Sequence, residues 1–277
     1  PGSGGKKIKW TYSDAQSGDG VGLKIVQQSF DGTPPADYVI FQYSISNQSN
    51  STRTFYAGFF GDWDVTQSVV DDIGFTELDG RLMYMMGSGI RVGTLLLGDA
   101  PVSGSFFYNR TTTPVPIPLI DQVRALKGEL RRTGIGPGDN RVIHAMGPIT
   151  LKRNKSVEVR IAIVAGESHS QILANAKAAA AHVGQTLPPP SSFQGTISSS
   201  SLDFGDTLVV KPSAALPWDG DEFVTIGDVS SSYRLNANPD SIAVVVPRLP
   251  TGPSELLVFN QGTEQRIDAL DVTIAST

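Results

Sequence analysis

Asp62-Trp63-Asp64 is the segment whose residue types point most directly to chemistry. In an extended chain, residues i and i+2 face one side. The two carboxylates then sit roughly 6–7 Å apart, with Trp63 on the opposite face. Asp71 and Asp72 follow soon after, in what reads as a turn. Hard carboxylate oxygens gathered in a loop are what calcium takes. Asp62, Asp64, Asp71 and Asp72 are therefore the candidate metal ligands, and calcium is the one candidate cofactor. Three other readings stand beside this one. The aspartates can cap turns and form salt bridges around a buried tryptophan. Trp63 and Tyr56, with Trp218 further along, can stack on sugar rings as ligand contacts of a carbohydrate-binding module. Asp62 and Asp64 can also be the acid pair of a hydrolase, which would require them to flank a sugar cleft.

Other constellations carry less. The three histidines, His144, His169 and His182, are not spaced to converge on zinc. Gly-x-Ser-x-Gly and Walker A patterns are absent, and Pro137 spoils Gly134-Ile135-Gly136-Pro137-Gly138 as a phosphate cradle because it lacks an N–H. Trp218-Asp219-Gly220-Asp221-Glu222 is an acidic turn without the spacing of an EF-hand loop, and reads as a hairpin tip. Met83, Met85 and Met86 beside Tyr84 read as core packing. With 0 cysteines, disulfides and thiolate chemistry are excluded. Sequons at Asn47, Asn50, Asn109 and Asn154 matter only in a host that glycosylates; otherwise they are turn residues. The expectation is a protein without catalytic residues.

The elements that must position these residues are mostly strands. The chain has 277 residues, 39% hydrophobic and 18% charged, with 29 Gly and 18 Pro, a turn-rich composition that still supports a core. Tyr38 to Asn47 alternates as a strand, Asn47 to Thr52 reads as a turn, and Thr54 to Phe60 as the return strand of a hairpin. Arg81 to Met86 and Ser156 to Val164 are further strands. Gly134 to Asn140 reads as a long turn. One strong helix spans Gln171 to Val183, with hydroxyl caps at Ser168 and Ser170 and Gly184 as its stop. A shorter helix is expected within Leu119 to Leu130. Leu187-Pro188-Pro189-Pro190-Ser191-Ser192 marks a boundary, because three prolines continue neither helix nor sheet. The expected organisation is a β-sandwich domain over residues 1–187, closed by a helix near 170–183, a linker over 188–192, and a strand-only domain over 193–277. In the last part, strands at intervals of about 12–18 residues suggest an immunoglobulin-like sandwich.

Net charge is −5, unevenly divided: residues 1–187 carry 18 Lys+Arg against 16 Asp+Glu, while residues 188–277 carry 4 against 11. No basic stripe of a nucleic-acid binder is present, and no apolar run approaches the roughly 20 residues of a membrane span. Pro1 to Gly5 reads as a flexible lead-in or a processed end.

Gly195-Thr196-Ile197-Ser198, then Leu202 to Val210, Val224-Thr225-Ile226-Gly227, Pro239-Asp240-Ser241-Ile242, Val244-Val245-Val246-Pro247 and Leu249 to Val258 resemble an IPT/TIG-type immunoglobulin-like domain. That family is a non-catalytic module used for spacing, display and protein contact. Phe41 to Asn47, Tyr56 to Val65, Met146 to Leu151, Val159 to Gly166 and Leu173-Ala174-Asn175-Ala176 resemble β-rich modules of large secreted bacterial proteins, some attached to subtilisin-like proteases. No Asp, His and Ser blocks of a subtilase are present, so this second resemblance implies location and architecture, not activity. Together they imply a bacterial protein of the extracellular or periplasmic space or the cell surface. It would act as an accessory or assembly subunit, with other envelope proteins, a second copy of itself or polysaccharide as partners, and no nucleic acid.

Overall fold

The computed structural model describes residues 8–13, 20–32, 35–65, 72–87, 89–109, 117–132, 134–189, 195–212, 222–227, 229–231, 233–235, 241–260 and 265–275. The chain is mainly β. Its first strands are β1 (Ile8–Ser13), β2 (Leu23–Asp31), β3 (Tyr38–Asn47), β4 (Arg53–Gly61), β5 (Asp72–Glu77), β6 (Leu82–Gly87), β7 (Ile90–Leu97) and β8 (Val102–Asn109). Helix α1 (Leu119–Leu126) precedes β9 (Gly134–Gly138), β10 (Asn140–Leu151) and β11 (Ser156–Gly166), and α2 (His169–His182) follows.

These strands build two sheets. An eight-stranded antiparallel sheet runs β1-β2-β3-β11-β7-β6-β5-β9, and a three-stranded one runs β4-β10-β8. Register explains how the large sheet is covered on both sides. Tyr43 pairs with Val159 and Ile45 with Val157. Their common face packs with Leu96, Met146 and Ile149 against the three-stranded sheet. The opposite face, with Ile40, Tyr84, Leu95, Ala162 and Val164, packs against Ile172, Leu173, Ala176, Ala179 and Ala180 of α2. β11 is thus apolar on both faces, as a central strand between two layers must be. Met83, Met85 and Met86 are fully buried, as expected of core residues.

Helix α2 begins where its cap sits: the Ser168 side chain accepts from the Gln171 N–H, and Gly184 ends the helix at φ +72°. Helix α1 lies on the outer face of the three-stranded sheet, with Ala125, Ile117, Tyr108 and Ile143 in one cluster. A Cβ on Gly104 would stand 2.1 Å from the Ala125 carbonyl oxygen, so a glycine is required for this close approach.

Two expectations are corrected here. β4 is not the hairpin return of β3. It crosses to the other sheet and pairs with β10, while β3 pairs with β2 and β11. Both strands are apolar on alternate residues, and facing layers bury those residues together, whereas one hairpin would leave a face open. The crossing is held by Asn47, whose Nδ2 donates to the carbonyls of Ser51 and Leu151, each at 2.8 Å. Second, 134–138 is strand β9 and not turn. It is the edge of the large sheet, where proline and glycine are tolerated, and it pairs with β5 through an irregular register.

The remaining strands are β12 (Gly195–Ile197), β13 (Ser201–Leu202), β14 (Thr207–Pro212), β15 (Glu222–Ile226), β16 (Val229–Ser230), β17 (Tyr233–Leu235), β18 (Ile242–Val245), β19 (Gly252–Asn260) and β20 (Gln265–Ile274). They form sheets ordered β12-β14-β18-β17 and β13-β20-β19-β15-β16. β13 pairs parallel to β20. This is the strand order of an immunoglobulin-like sandwich with its first strand divided between the two sheets. Leu208, Val210, Val224, Ile226, Ile242, Val244, Leu256 and Val258 form its core.

Candidate functional site

Strand β4 ends at Gly61, paired with Val142 of β10. Continued past that pair, the same register sets Asp62 opposite Arg141 and Asp64 opposite Asp139. Alternation then puts all four side chains on one side. The side chains follow this geometry. One carboxylate oxygen from each of Asp62, Asp64 and Asp139 lies within 4.8 Å of the others. Arg141 Nη2 donates to Asp62 Oδ2 at 2.8 Å. Asp62 and Asp64 are exposed, whereas Asp139 is 8% exposed.

The loop is held from beneath. Trp63 packs on Met83, Met85, Phe107, Ile135 and Val142, and its ring stacks on Phe59 at 5.7 Å and 15°. A Cβ on Gly61 would stand 2.9 Å from Trp63 Nε1, so Gly61 leaves room for the indole. On the other strand, Asn140 Nδ2 donates to the carbonyls of Asp72 and Gly136, and its Oδ1 accepts from Asn109 Nδ2 at 3.1 Å. That network fixes the β9–β10 turn and with it Asp139. Arg141 is paired in register with Tyr108 of β8. Burial lowers the Arg141 pKa, but the hydrogen bond and charge of Asp62, with Tyr108, outweigh it and hold the guanidinium charged more firmly than usual. Burial pushes the Tyr108 hydroxyl up.

Three carboxylate oxygens at this spacing can converge on a divalent cation, with Arg141 drawing on one oxygen of Asp62. Of the expected metal residues, Asp62 and Asp64 are brought together. Asp71 lies outside the described residues. Asp72 is not on a turn: it opens β5, is 1% exposed, and its carboxylate accepts from the Val65 N–H at 3.2 Å, bracing the loop from inside. Trp63 has one ring face covered by Phe59. Tyr56 is half-buried on the outward side of β4, with Gly147 against its ring. Trp218 lies outside the described residues, as does most of its acidic turn. Asp139 and Arg141 were missed by sequence reasoning. The visible signal was the charged pair Asp139 and Arg141 two positions apart, the same spacing as Asp62 and Asp64.

The histidines each serve packing. His169 Nε2 lies 2.9 Å from Glu77 Oε1 at the start of α2, and His182 Nδ1 lies 3.0 Å from the Tyr38 hydroxyl at its end. His144 is buried between the sheets, against Thr94 and the Gly80 carbonyl.

No protein-family model matches this chain, and no curated protein matches it. Among solved structures, a polysaccharide lyase is similar over 99% of this chain at 11% identity and a TM-score of 0.33. The chain spans 40% of that lyase's length. A score this low does not define a shared fold.

Proposed function

We propose that this chain is a non-catalytic interaction module of a secreted or cell-surface bacterial assembly, with two domains joined through residues 188–192, the second of IPT/TIG type. The observation that carries the reading is the open edge of the eight-stranded sheet. β1 has β2 on one side only, so the backbone groups along its other side have no strand partner among the described residues. Ile8, Trp10 and Tyr12 alternate onto one face and are 48%, 43% and 49% exposed. Register places Trp10 beside Gln27 and Tyr12 beside Ile25, and these beside Tyr43 and Ile45. The aromatic row therefore continues the inner apolar face outward. Tyr12 donates to Gln27 at 3.2 Å. Tyr43 has its hydroxyl pushed up by burial first and then by Tyr12.

Unpaired backbone groups beside a row of large side chains are what strand addition by a partner protein uses: hydrogen bonds supply affinity and the side chains supply specificity. Among the described residues no helix is long and apolar enough to cross a membrane. The test is a Trp10→Ser/Tyr12→Ser variant, compared with the parent chain by affinity capture from the source cell envelope and by sedimentation velocity. The parent is expected to hold a defined partner, or a second copy, that the variant loses. Equal retention by both overturns the reading. Retardation on a polysaccharide gel that the variant abolishes, with no protein retained, transfers this surface to the carbohydrate alternative.

A further inference from the structure

A second feature is independent of β1. A cavity of about 540 Å³ opens where the turn after β7, strand β11 and the segment following α2 meet. Arg81, Asp99, Arg160, Gln185 and Thr186 supply its polar lining, and Val183 is its one apolar side chain among the described residues. The volume lies within the roughly 300–1,000 Å³ that small ligands occupy.

The two guanidinium groups differ. Arg160 is engaged: its Nε donates to Gln42 Oε1 at 2.9 Å, and its Nη2 pairs with Glu158. Arg81 is fixed by backbone alone, Nη1 donating to the carbonyls of Leu96 at 3.4 Å and Gly98 at 3.2 Å. That anchoring leaves Nε and Nη2, one edge of the fork, uncommitted among the described residues. Gln185 Oε1 accepts from the Gly98 N–H at 2.6 Å, which leaves its Nε2 as a donor. Asp99 is exposed on the same wall and accepts only.

An arginine edge matches a carboxylate in two parallel hydrogen bonds. Asp99 and the C-terminal end of α2 bring negative charge to the same wall, which disfavours a dense polyanion such as a phosphate ester. A single carboxylate on a body rich in hydroxyl donors satisfies both charges. The near absence of apolar lining points the same way. We propose that this cavity binds an acidic sugar, a hydroxylated monocarboxylate of one or two rings, with its carboxylate on Arg81 and its hydroxyls on Asp99, Gln185 and Thr186.

The test is calorimetric titration of the full chain with sodium glucuronate, with glucose and sodium sulfate as comparison probes. Arg81→Gln removes the proposed anchor, and Thr186→Trp, at an exposed position, fills the cavity. Saturable glucuronate binding is expected, with glucose at least about tenfold weaker and both variants weakened by about tenfold or more, a difference of about 1.4 kcal/mol. Because Arg81→Gln also removes two backbone bonds, Thr186→Trp decides the matter if that variant fails to fold. Absence of glucuronate binding, equal binding of glucose, or unchanged binding by Thr186→Trp overturns the proposal. Sulfate binding as well as glucuronate means an adventitious ion only, and does so too. The Trp10→Ser/Tyr12→Ser variant should bind glucuronate like the parent, so failure here is separable from failure of the β1 reading.

Discussion

The Nδ1 of His144 on β10 accepts a hydrogen bond from the hydroxyl of Thr94 on β7 at 2.9 Å, joining the two sheets through one imidazole. On the other side of the ring, Nε2 lies 2.7 Å from the Gly80 carbonyl oxygen. A carbonyl only accepts, so Nε2 carries a proton; in the neutral ring that burial favours, Nδ1 keeps the lone pair that accepts from Thr94. Burial drives its pKa down to about 4; the Gly80 carbonyl opposes this and the Arg81 charge adds to it. Unfolded, the same ring takes its proton near pH 6.5. The unfolded chain therefore binds more protons between these values. The stability due to the neutral ring is complete above about pH 6.5 and is lost as the pH falls toward 4, roughly 3 kcal/mol in all. Imidazole resonances of His144 should titrate with a midpoint near 4, and His144→Gln should remove this share of the pH dependence of urea unfolding. A midpoint near 6.5 would contradict a buried neutral ring.

Arg141 is the counter-charge of the three carboxylates. Arg141→Gln leaves Asp62, Asp64 and Asp139 facing one another without it. The thermal midpoint in EDTA is expected to drop by a few degrees. Millimolar calcium should then stabilise the variant more than the parent, because the Asp62 oxygen is released. Equal calcium response in the two proteins, across parallel melting curves, would mean that the guanidinium does not compete for that oxygen.

Gly104→Ala tests the seat of α1. The new methyl would meet the Ala125 carbonyl oxygen, a backbone atom that moves only if the helix lifts. Overpacking of this kind costs about 1–3 kcal/mol. Urea unfolding should report a loss in that range, and hydrogen exchange should rise in α1. No change in either would mean that the helix is not held at this distance.

Asn47→Ala tests the crossing from β3 to β4. Besides its two donated bonds, Asn47 Oδ1 accepts from the Ser49 N–H at 3.0 Å and the Ser49 hydroxyl at 2.7 Å. Loss of all four, including the buried bond to the Leu151 carbonyl, is expected to cost about 2–3 kcal/mol. Because Asn47 is fully buried, a glycosylating host should modify Asn50 or Asn154, both exposed, before Asn47. Peptide mapping by mass spectrometry reads this directly.

What was legible in the sequence was local. The Ser168 cap, the apolar stripe from Ile172 to Ala180 and Gly184 mark α2 within a residue or two of its ends. Turn residues at regular intervals mark the immunoglobulin-like sandwich. Pairing was not legible. Whether Thr54 to Phe60 turns back on β3 or crosses to β10 depends on a partner nearly ninety residues later, and the alternation is identical in both cases. The same holds for the site. Asp62 and Asp64 announce themselves, but Asp139 and Arg141 join them only through the Gly61–Val142 register. β9 was hidden because glycine and proline mark turns and sheet edges alike.

The pairing of β3 with β11 joins residues as far apart as Tyr38 and Val164, 126 positions along the chain. Its consequence is temporal. During synthesis, β2 and β3 can associate soon after they emerge, yet their neighbour in the large sheet does not exist until translation has passed Gly166. For that interval the edge of β3 and the apolar sides of β4 are open to any other strand. A nascent chain of this design gains from a holding factor until β11 has emerged.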